Sequence, residues 1–263
     1  MQTDQIVSLH LWGVPARRVP SALAAVAVDR RRMAGATGCT FAKLLGTGHA
    51  RTFTPRDADP RHWGLLAVWS APECLASFEH AHPVLQRWEA RSNERWRAVL
   101  RPVATRGRWA RQEPFQPTRR FQPAGASQQA GSIQPTHGPA AGIPIAAITR
   151  ARLRWRHAHH FWQAVPPVAA AADRADGLLW AIGIGEAPIG LQGTFSMWRD
   201  ASALRSFAQG EPAHCAVVDR TWREGWYAEE LFARFAVVEC GGTVAGHDPL
   251  SGAGKAGRPG GDP

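Results

Sequence analysis

The chain has 263 residues, 44% of them hydrophobic, and a formal net charge of +10, which fits a globular protein with a sizeable core. No apolar run approaches the roughly 18 to 20 residues of a membrane span, and the opening residues lack the basic cluster of a secretory signal. We therefore expect a cytoplasmic protein. Four singly placed cysteines without a CxxC pair exclude a zinc ribbon or a redox motif.

The first half of the chain predicts strands and helices in alternation. Apolar periodicity and turn residues give, in order, a strand at 6–12, a helix from 20 to about 35, strands at 40–45 and 62–69, a capping box at 70–73, a helix that resumes over 84–100, and a strand near 102–106. This order is β-α-β-β-α-β, which is typical of a ferredoxin-like unit.

The second half predicts the same order. It reads as a strand at 143–154, a helix at 157–174, strands at 178–184 and 193–198, a short helix capped by Asp200, a helix at 214–230, and a strand at 231–239. Matching segments recur about 130 residues apart, and each half contains a strand that ends in tryptophan, at Trp69 and at Trp198.

This repeat predicts an α+β fold made of two tandem ferredoxin-like halves. Their sheets would cover each other in a sandwich resembling the dimeric α+β barrel. We predict the first half at 1–110, a flexible Pro/Gln/Gly-rich linker at 111–142, the second half at 143–240, and a disordered Gly-rich tail at 241–263.

The high net charge has three possible interpretations. Nucleic-acid binding is one, genome composition is another because 29 of the 31 cations are arginine, and attraction of an acidic protein or anionic lipid is the third. The arginines are spread along the chain without a basic block. We expect no nucleic-acid partner.

Glycine and histidine patterns give weaker signals. The pairs at Gly46/Gly48 and Gly183/Gly185 do not complete a dinucleotide-binding fingerprint, and we interpret each as a bend between strands. His157 and His160 share a helix face and could chelate a metal, but no third ligand is close in sequence. His214 follows Pro212 at a predicted helix start beside large aromatic residues, where an imidazole could bind a heme iron or simply begin a helix.

The tryptophans and phenylalanines are open to two interpretations. They pack a core, or they line a channel for a long apolar ligand. In the second case, Trp69, Trp198, Phe207 and Trp226 would contact the substrate.

Several blocks taken together resemble the spheroidene monooxygenase family of purple phototrophic bacteria. They are AKLLGTG…FTPR, WGLLAVW and ARSNERWRAVLRPVATRGRW in the first half, and IAAITRARLR, IGIGEAP…TFSMW and REGWYAEELFARF in the second. The resemblance spans about residues 5–240 apart from the linker. It also implies a fold similar to that of chlorite dismutases and heme-degrading monooxygenases.

The resemblance implies an enzyme of carotenoid biosynthesis. Such an enzyme hydroxylates C-2 of spheroidene twice, giving the 2-ketone spheroidenone, with O2 and reduced ferredoxin and with heme b as cofactor. It implies His214 as the axial ligand, although Ala213 interrupts the Pro-His step of the family pattern. Arg223 or Arg234 would hold the heme propionates. The enzyme would dock peripherally on the inner photosynthetic membrane. The alternative function is non-catalytic binding of heme or an isoprenoid on the same fold.

Overall fold

The computed structural model describes residues 5–49, 51–117, 143–186 and 193–251. The strands are β1 Ile6–Gly13, β2 Cys39–Gly48, β3 Ala58–Trp69, β4 Glu94–Gly107, β5 Ile145–Leu153, β6 Leu178–Gly185, β7 Gly193–Trp198 and β8 Tyr227–Gly242. The helices are α1 Val19–Met33, α2 Pro72–Ala81, α3 Pro83–Arg91, α4 Ala158–Arg174, α5 Ala201–Gly210 and α6 Pro212–Glu224.

The eight strands form one closed antiparallel barrel in the order β1-β3-β2-β6-β7-β5-β8-β4. Each half supplies four neighbouring strands, and the halves join where β2 pairs with β6 and where β4 pairs with β8. Closure leaves no free sheet edge. The predicted α+β class and the barrel built from two ferredoxin-like halves are confirmed.

The glycine pairs lie at one of these two joins. Gly46 pairs with Gly185 and Gly48 with Gly183, so the two segments run antiparallel to each other. They are therefore not bends between strands, as the sequence suggested. They are the paired ends of β2 and β6, where the absence of side chains lets the two halves approach closely.

Two predicted helices run too far. The segment 94–100 was expected to continue a helix, but it belongs to β4, which pairs with both β1 and β8. The helix predicted at 214–230 ends at Glu224, because Gly225 adopts a left-handed conformation and caps it. The capping box at 70–73 is also wrong, since Ala71 is the N-cap of α2 and no side chain caps that end. Asp200 does cap α5, accepting hydrogen bonds from the Ser202 and Ala203 amides.

The predicted linker and tail fall partly on described residues. Residues 118–142 and 252–263 lie outside them, whereas Phe115 is buried in the barrel interior. β8 extends to Gly242, two residues past the predicted end of the second half. Residues 243–251 then fold back so that Glu94 accepts hydrogen bonds from the Ala245 and Gly246 amides. The prediction of a disordered tail from residue 241 onward is therefore wrong for residues 241–251.

Candidate functional site

The fold creates three apolar layers, and the first is the barrel interior. Alternate residues of all eight strands point inward and form one continuous buried cluster. Its centre is aromatic, with the ring of Trp96 5.8 Å from Trp180 and 6.0 Å from Phe195. Side chains fill this interior, which makes it a packed core rather than a ligand channel.

A polar cluster occupies one end of the interior. Glu186 accepts hydrogen bonds from Lys43 at 2.7 Å, from the Trp109 indole at 2.5 Å and from Arg150 at 3.0 Å. The buried Arg150 also pairs with Glu229 at 2.5 Å. Burial alone would raise the pKa of Glu186, but the hydrogen bonds from Lys43 and Trp109 outweigh it, so the pKa is lowered. The carboxylate therefore stays charged and ties β2, β5 and β6 together.

The other two layers lie between each half of the barrel and its own helices. We call them the first-half layer, which contains Trp69, and the second-half layer, which contains Trp198. Pairing of Ile6 with Trp69 in the first half matches pairing of Ile145 with Trp198 in the second, which fixes the equivalence of positions between halves. By this register His10 corresponds to Thr149, and Trp12 corresponds to Ala151. Leu65 corresponds to Thr194, and Leu44 corresponds to Gly183. All four first-half side chains face outward from the barrel. Each second-half residue is the smaller one.

The first-half layer is well filled. Trp12 stacks on Trp88 of α3 with ring centroids 5.2 Å apart, and both side chains are buried. His10 and Leu65 are also buried beneath the helices. This layer holds most of the first half's hydrophobic core, and large side chains of its strands and helices pack against one another.

The second-half layer is more open. Thr149 is exposed and Thr194 is half-buried, although their first-half counterparts are buried. α6 buries Thr221, whereas α3 of the first half buries three large side chains. Small side chains beneath loosely packed helices are what a flat ligand between sheet and helices requires. We therefore regard the second-half layer as the candidate site.

His214 lies at the edge of the second-half layer. Its ring is 5.3 Å from Phe207, which in turn is 5.3 Å from Trp198. Burial lowers the pKa of His214, so its imidazole is neutral near pH 7. Its Nδ1 lies 3.1 Å from the Ala208 carbonyl oxygen and donates to it in the neutral ring, which leaves the Nε2 lone pair for a metal.

Two arginines add positive charge to the same layer. Arg234 of β8 is half-buried, and burial together with the nearby positive charge of Arg205 lowers its pKa. Arg205, on α5, was not singled out by sequence reasoning, because nothing in its sequence context marks it. The predicted Arg223 is exposed on α6, and its Nε donates to the Asp219 carbonyl of the same helix.

The predicted substrate-binding aromatics do not form one group. Trp198 and Phe207 pack together in the second-half layer. Trp69 is buried in the first-half layer, where its indole donates to Ser8. Trp226 is fully buried next to α6, where its indole donates to Glu224.

A cleft of about 590 Å³ lies in the first half, next to the folded-back residues 243–251. Within it, His62 contacts Asp59 through Nδ1 at 2.6 Å and Glu94 through Nε2 at 3.1 Å. Burial alone would lower the pKa of His62, but the two carboxylates outweigh it and the pKa is raised. This arrangement holds an imidazolium between two acids and links β3 to β4.

The sequence comparisons point to one family. A spheroidene monooxygenase of Rhodobacter capsulatus is 31% identical over 233 residues, which are 89% of this chain and 90% of that protein. One from Rubrivivax gelatinosus is 30% identical over 212 residues, 81% of this chain and 74% of that protein. One from Cereibacter sphaeroides is 32% identical over 80% of this chain but only 59% of its own length. No protein-family model matches the chain.

Solved structures agree on the fold. A crystal structure of aldoxime dehydratase aligns with a TM-score of 0.53 and 14% identity, covering 90% of this chain and 82% of that one. An aldoxime dehydratase crystallised with butyraldoxime also gives 0.53, at 13% identity. At a sequence identity this low, the similarity shows the fold and not the reaction. The sequence identity over most of the chain decides the family: the chain belongs to the spheroidene monooxygenases.

Proposed function

We propose that the protein is a carotenoid-biosynthesis monooxygenase that converts C-2 of a spheroidene-type acyclic carotenoid to a ketone. The observation that carries the proposal is the 31% identity, over 89% of the chain, to a protein named spheroidene monooxygenase. The exposed Thr149 and the half-buried Thr194, beside the paired rings of Trp198 and Phe207, support the second-half layer as the place where an apolar polyene end would be buried.

The reaction balances as two hydroxylations. In each one, O2 accepts two electrons and two protons, one oxygen atom enters a C–H bond at C-2, and the other leaves as water. The second hydroxylation yields a geminal diol, which loses water to give the ketone. Reduced ferredoxin supplies the electrons, and the net charge of +10 favours approach of an acidic electron carrier.

We further propose that the second-half layer holds heme b, which when bound supplies the O2 activation that side chains cannot. The residues present fit this group. His214 would hold the heme iron, because its imidazole is neutral and its Nε2 is not used by the Ala208 hydrogen bond. Arg234 and Arg205 lie close enough together for one charge to lower the pKa of the other, and carboxylate groups of the heme would be attracted to this pair.

The remaining residues of the layer position and shield. The rings of Trp198 and Phe207 would form an apolar wall against the carotenoid end and exclude water. Thr149 and Thr194 would form the floor, and their small size is what leaves room for the ligand. These roles require no proton transfer by either threonine.

A carotenoid substrate resides in a membrane, so we propose peripheral docking on the cytoplasmic face of the inner photosynthetic membrane. No helix within the described ranges is both long and apolar enough to cross a bilayer. Trp155 supports docking, because its side chain is 87% exposed and stands between Arg154 and Arg156. Exposed indoles and arginines are favourable at the interface with anionic lipid.

The test is co-expression of the full chain with a spheroidene-producing pathway under air, followed by pigment analysis. We expect a red-shifted keto-carotenoid that incorporates one atom from labelled O2. An empty vector under the same conditions is the control for background oxidation. Protein that is soluble and binds heme or pigment, yet yields no ketone when supplied with a reduced ferredoxin, would identify a carrier and overturn the proposal.

A further inference from the structure

Three potential metal ligands meet where the start of α4 lies against the end of α6. They are His157, His160 and Glu224, and their ligand atoms all lie within 4.8 Å of one another. The sequence places the two histidines on one helix face, with no third ligand close to them along the chain. The fold supplies it from 64 positions further along the chain, counted from His160 to Glu224.

The two imidazoles have unused polar atoms. Nδ1 of His157 and Nδ1 of His160 are both buried, and neither has a hydrogen-bond partner among the described residues. Buried polar atoms without a partner are rare in native proteins and require an explanation. Nδ1 of His160 lies 3.9 Å from Oε2 of Glu224, which is too far for a hydrogen bond.

Neighbouring groups hold the ligands in place. Glu224 accepts a hydrogen bond from Arg220 at 2.8 Å and another from the Trp226 indole at 2.7 Å. The His160 ring stacks on Trp226 with centroids 6.4 Å apart. Supporting contacts of this kind fix the orientation of ligands around bound metals.

We propose that His157, His160 and Glu224 form a binding site for a zinc-type divalent transition metal. Two imidazoles and one carboxylate are a recurrent donor set for zinc, with a fourth position left to water. Ligand atoms around one tetrahedral zinc ion lie roughly 3.4 Å apart, so a closure of about 1.4 Å at most completes the site. The ion would tie α4 to α6, two helices of the second half.

One contact competes with the metal. Nε of Arg156 donates to Nε2 of His157 at 2.9 Å, which places the proton of the neutral ring on Nδ1. Binding through Nδ1 moves that proton to Nε2 and releases Arg156. Because the contact is exposed, its loss costs little. Arg156→Ala should therefore tighten metal binding, a result that a purely structural role for these histidines does not predict.

The experiment is equilibrium dialysis of the full chain against Zn²⁺ alone, with Co²⁺ as a spectroscopic substitute. We expect one Zn²⁺ per chain and the visible absorption of four-coordinate Co²⁺. His160→Ala and Glu224→Gln should weaken Zn²⁺ binding at least about 10-fold. His159→Ala is the matched control, because His159 is exposed and contacts Gln163, and it should bind as the wild type does.

Circular dichroism checks that each variant is folded, and Glu224→Gln retains an acceptor for the Trp226 indole. Zn²⁺ should raise the Tm of the wild type but not that of His160→Ala. No saturable Zn²⁺ binding by the wild type, or an equal loss in His159→Ala, would overturn the site. The measurement does not depend on heme or on turnover, so its outcome is independent of the proposed oxygenase activity.

Discussion

His82, the N-cap of α3, and His214, in the first turn of α6, pack on equivalent phenylalanines of the two halves, yet their ring nitrogens are used in opposite ways. Each imidazole packs on a phenylalanine, His82 at 4.8 Å from Phe78 and His214 at 5.3 Å from Phe207. Nδ1 of His82 accepts a hydrogen bond from the Val84 amide, which puts the proton of the neutral ring on Nε2. Nδ1 of His214 faces the Ala208 carbonyl, which puts the proton on Nδ1 instead.

This difference matches the difference between the two layers. The first half packs its helices on large side chains and keeps its histidine as a helix cap. The second half has small side chains at the same register and a histidine whose Nε2 carries the lone pair that it could donate to a metal. The first half is therefore the packed one, and the second half is the one in which we propose the ligand.

Exchange of one residue pair between the halves tests this difference. Thr194→Leu places the first-half residue in the second-half layer, and we expect a roughly 10-fold or larger loss of heme affinity, because a branched side chain then occupies the ligand space. Heme titration measures the effect. Thermal unfolding should change little, since the position is half-buried in a loosely packed layer.

The reciprocal variant is the control. Leu65→Thr removes a fully buried side chain from the first-half layer and should cost about 2 to 4 kcal/mol of unfolding free energy. Its heme affinity should equal that of the wild type. If Leu65→Thr weakens heme binding as much as Thr194→Leu, the site is not confined to the second half.

His62 should make the free energy of unfolding depend on pH, and the direction of its contribution follows from its raised pKa. Its folded-state pKa is raised above 6.5, so its contribution is complete below pH 6.5 and is lost as the pH rises through the raised pKa. Asp59 and Glu94 have lowered pKa values, so their contributions are lost as the pH falls through those values.

Urea unfolding at several pH values measures this dependence. His62→Gln should lower the unfolding free energy by about 1.5 to 3 kcal/mol near pH 6. It should also flatten the decline above pH 6.5. His80→Gln, at an exposed position of α2, serves as the control and should follow the wild-type curve. The difference between the wild-type and His62→Gln curves isolates His62, because His10, His82 and His214 have lowered pKa values and act with the opposite sign. A difference that grows from pH 6.5 to 8 would refute the assignment.

Arg150 should be the most sensitive member of the cluster at the barrel end. Its side chain is 4% exposed and pairs with both Glu186 and Glu229. Arg150→Met leaves carboxylates without their buried partner, and we expect a loss of about 3 to 5 kcal/mol in urea unfolding. Arg108→Met removes an exposed pair with Glu113 and should change stability by about 1 kcal/mol or less.

Membrane docking can be tested on Trp155. Trp155→Ala should reduce the fraction of protein that floats with anionic vesicles, because the exposed indole is lost from the interface. Leu23→Ala, which alters an exposed apolar residue of the first half, is the matched control and should float as the wild type does. Equal flotation of all three proteins would place the docking surface elsewhere or exclude docking.

The sequence predicted the repeated architecture because apolar periodicity and the tryptophan-ended strands recur in both halves. It failed at residues 94–100, where Trp96, Ala98 and Leu100 alternate as a strand requires, while Trp96 and Leu100 also continue the helical spacing begun by Leu85 and Trp88. Pairing of β4 with β1 and β8, which is a long-range effect, decided the outcome.

Site residues were harder to predict than elements. His214 and Arg234 are candidates from the sequence and stay predictions, whereas Arg205 and Glu224 could not be proposed from it, because each gains its meaning from a neighbour distant in sequence. The size difference between the layers also needed strand register, which places Thr194 opposite Gly183 and equivalent to Leu65. Resemblance to the family could not supply that comparison, since it lies within the chain.

The most direct test of the proposed heme site is heme titration of the purified full chain, followed by its Soret absorption. We expect saturation at one heme per chain. His214→Ala should weaken binding or shift the Soret band, and His82→Ala should leave both unchanged. Absence of a Soret band in wild-type protein that still forms the ketone, or an identical spectrum for His214→Ala, would contradict it.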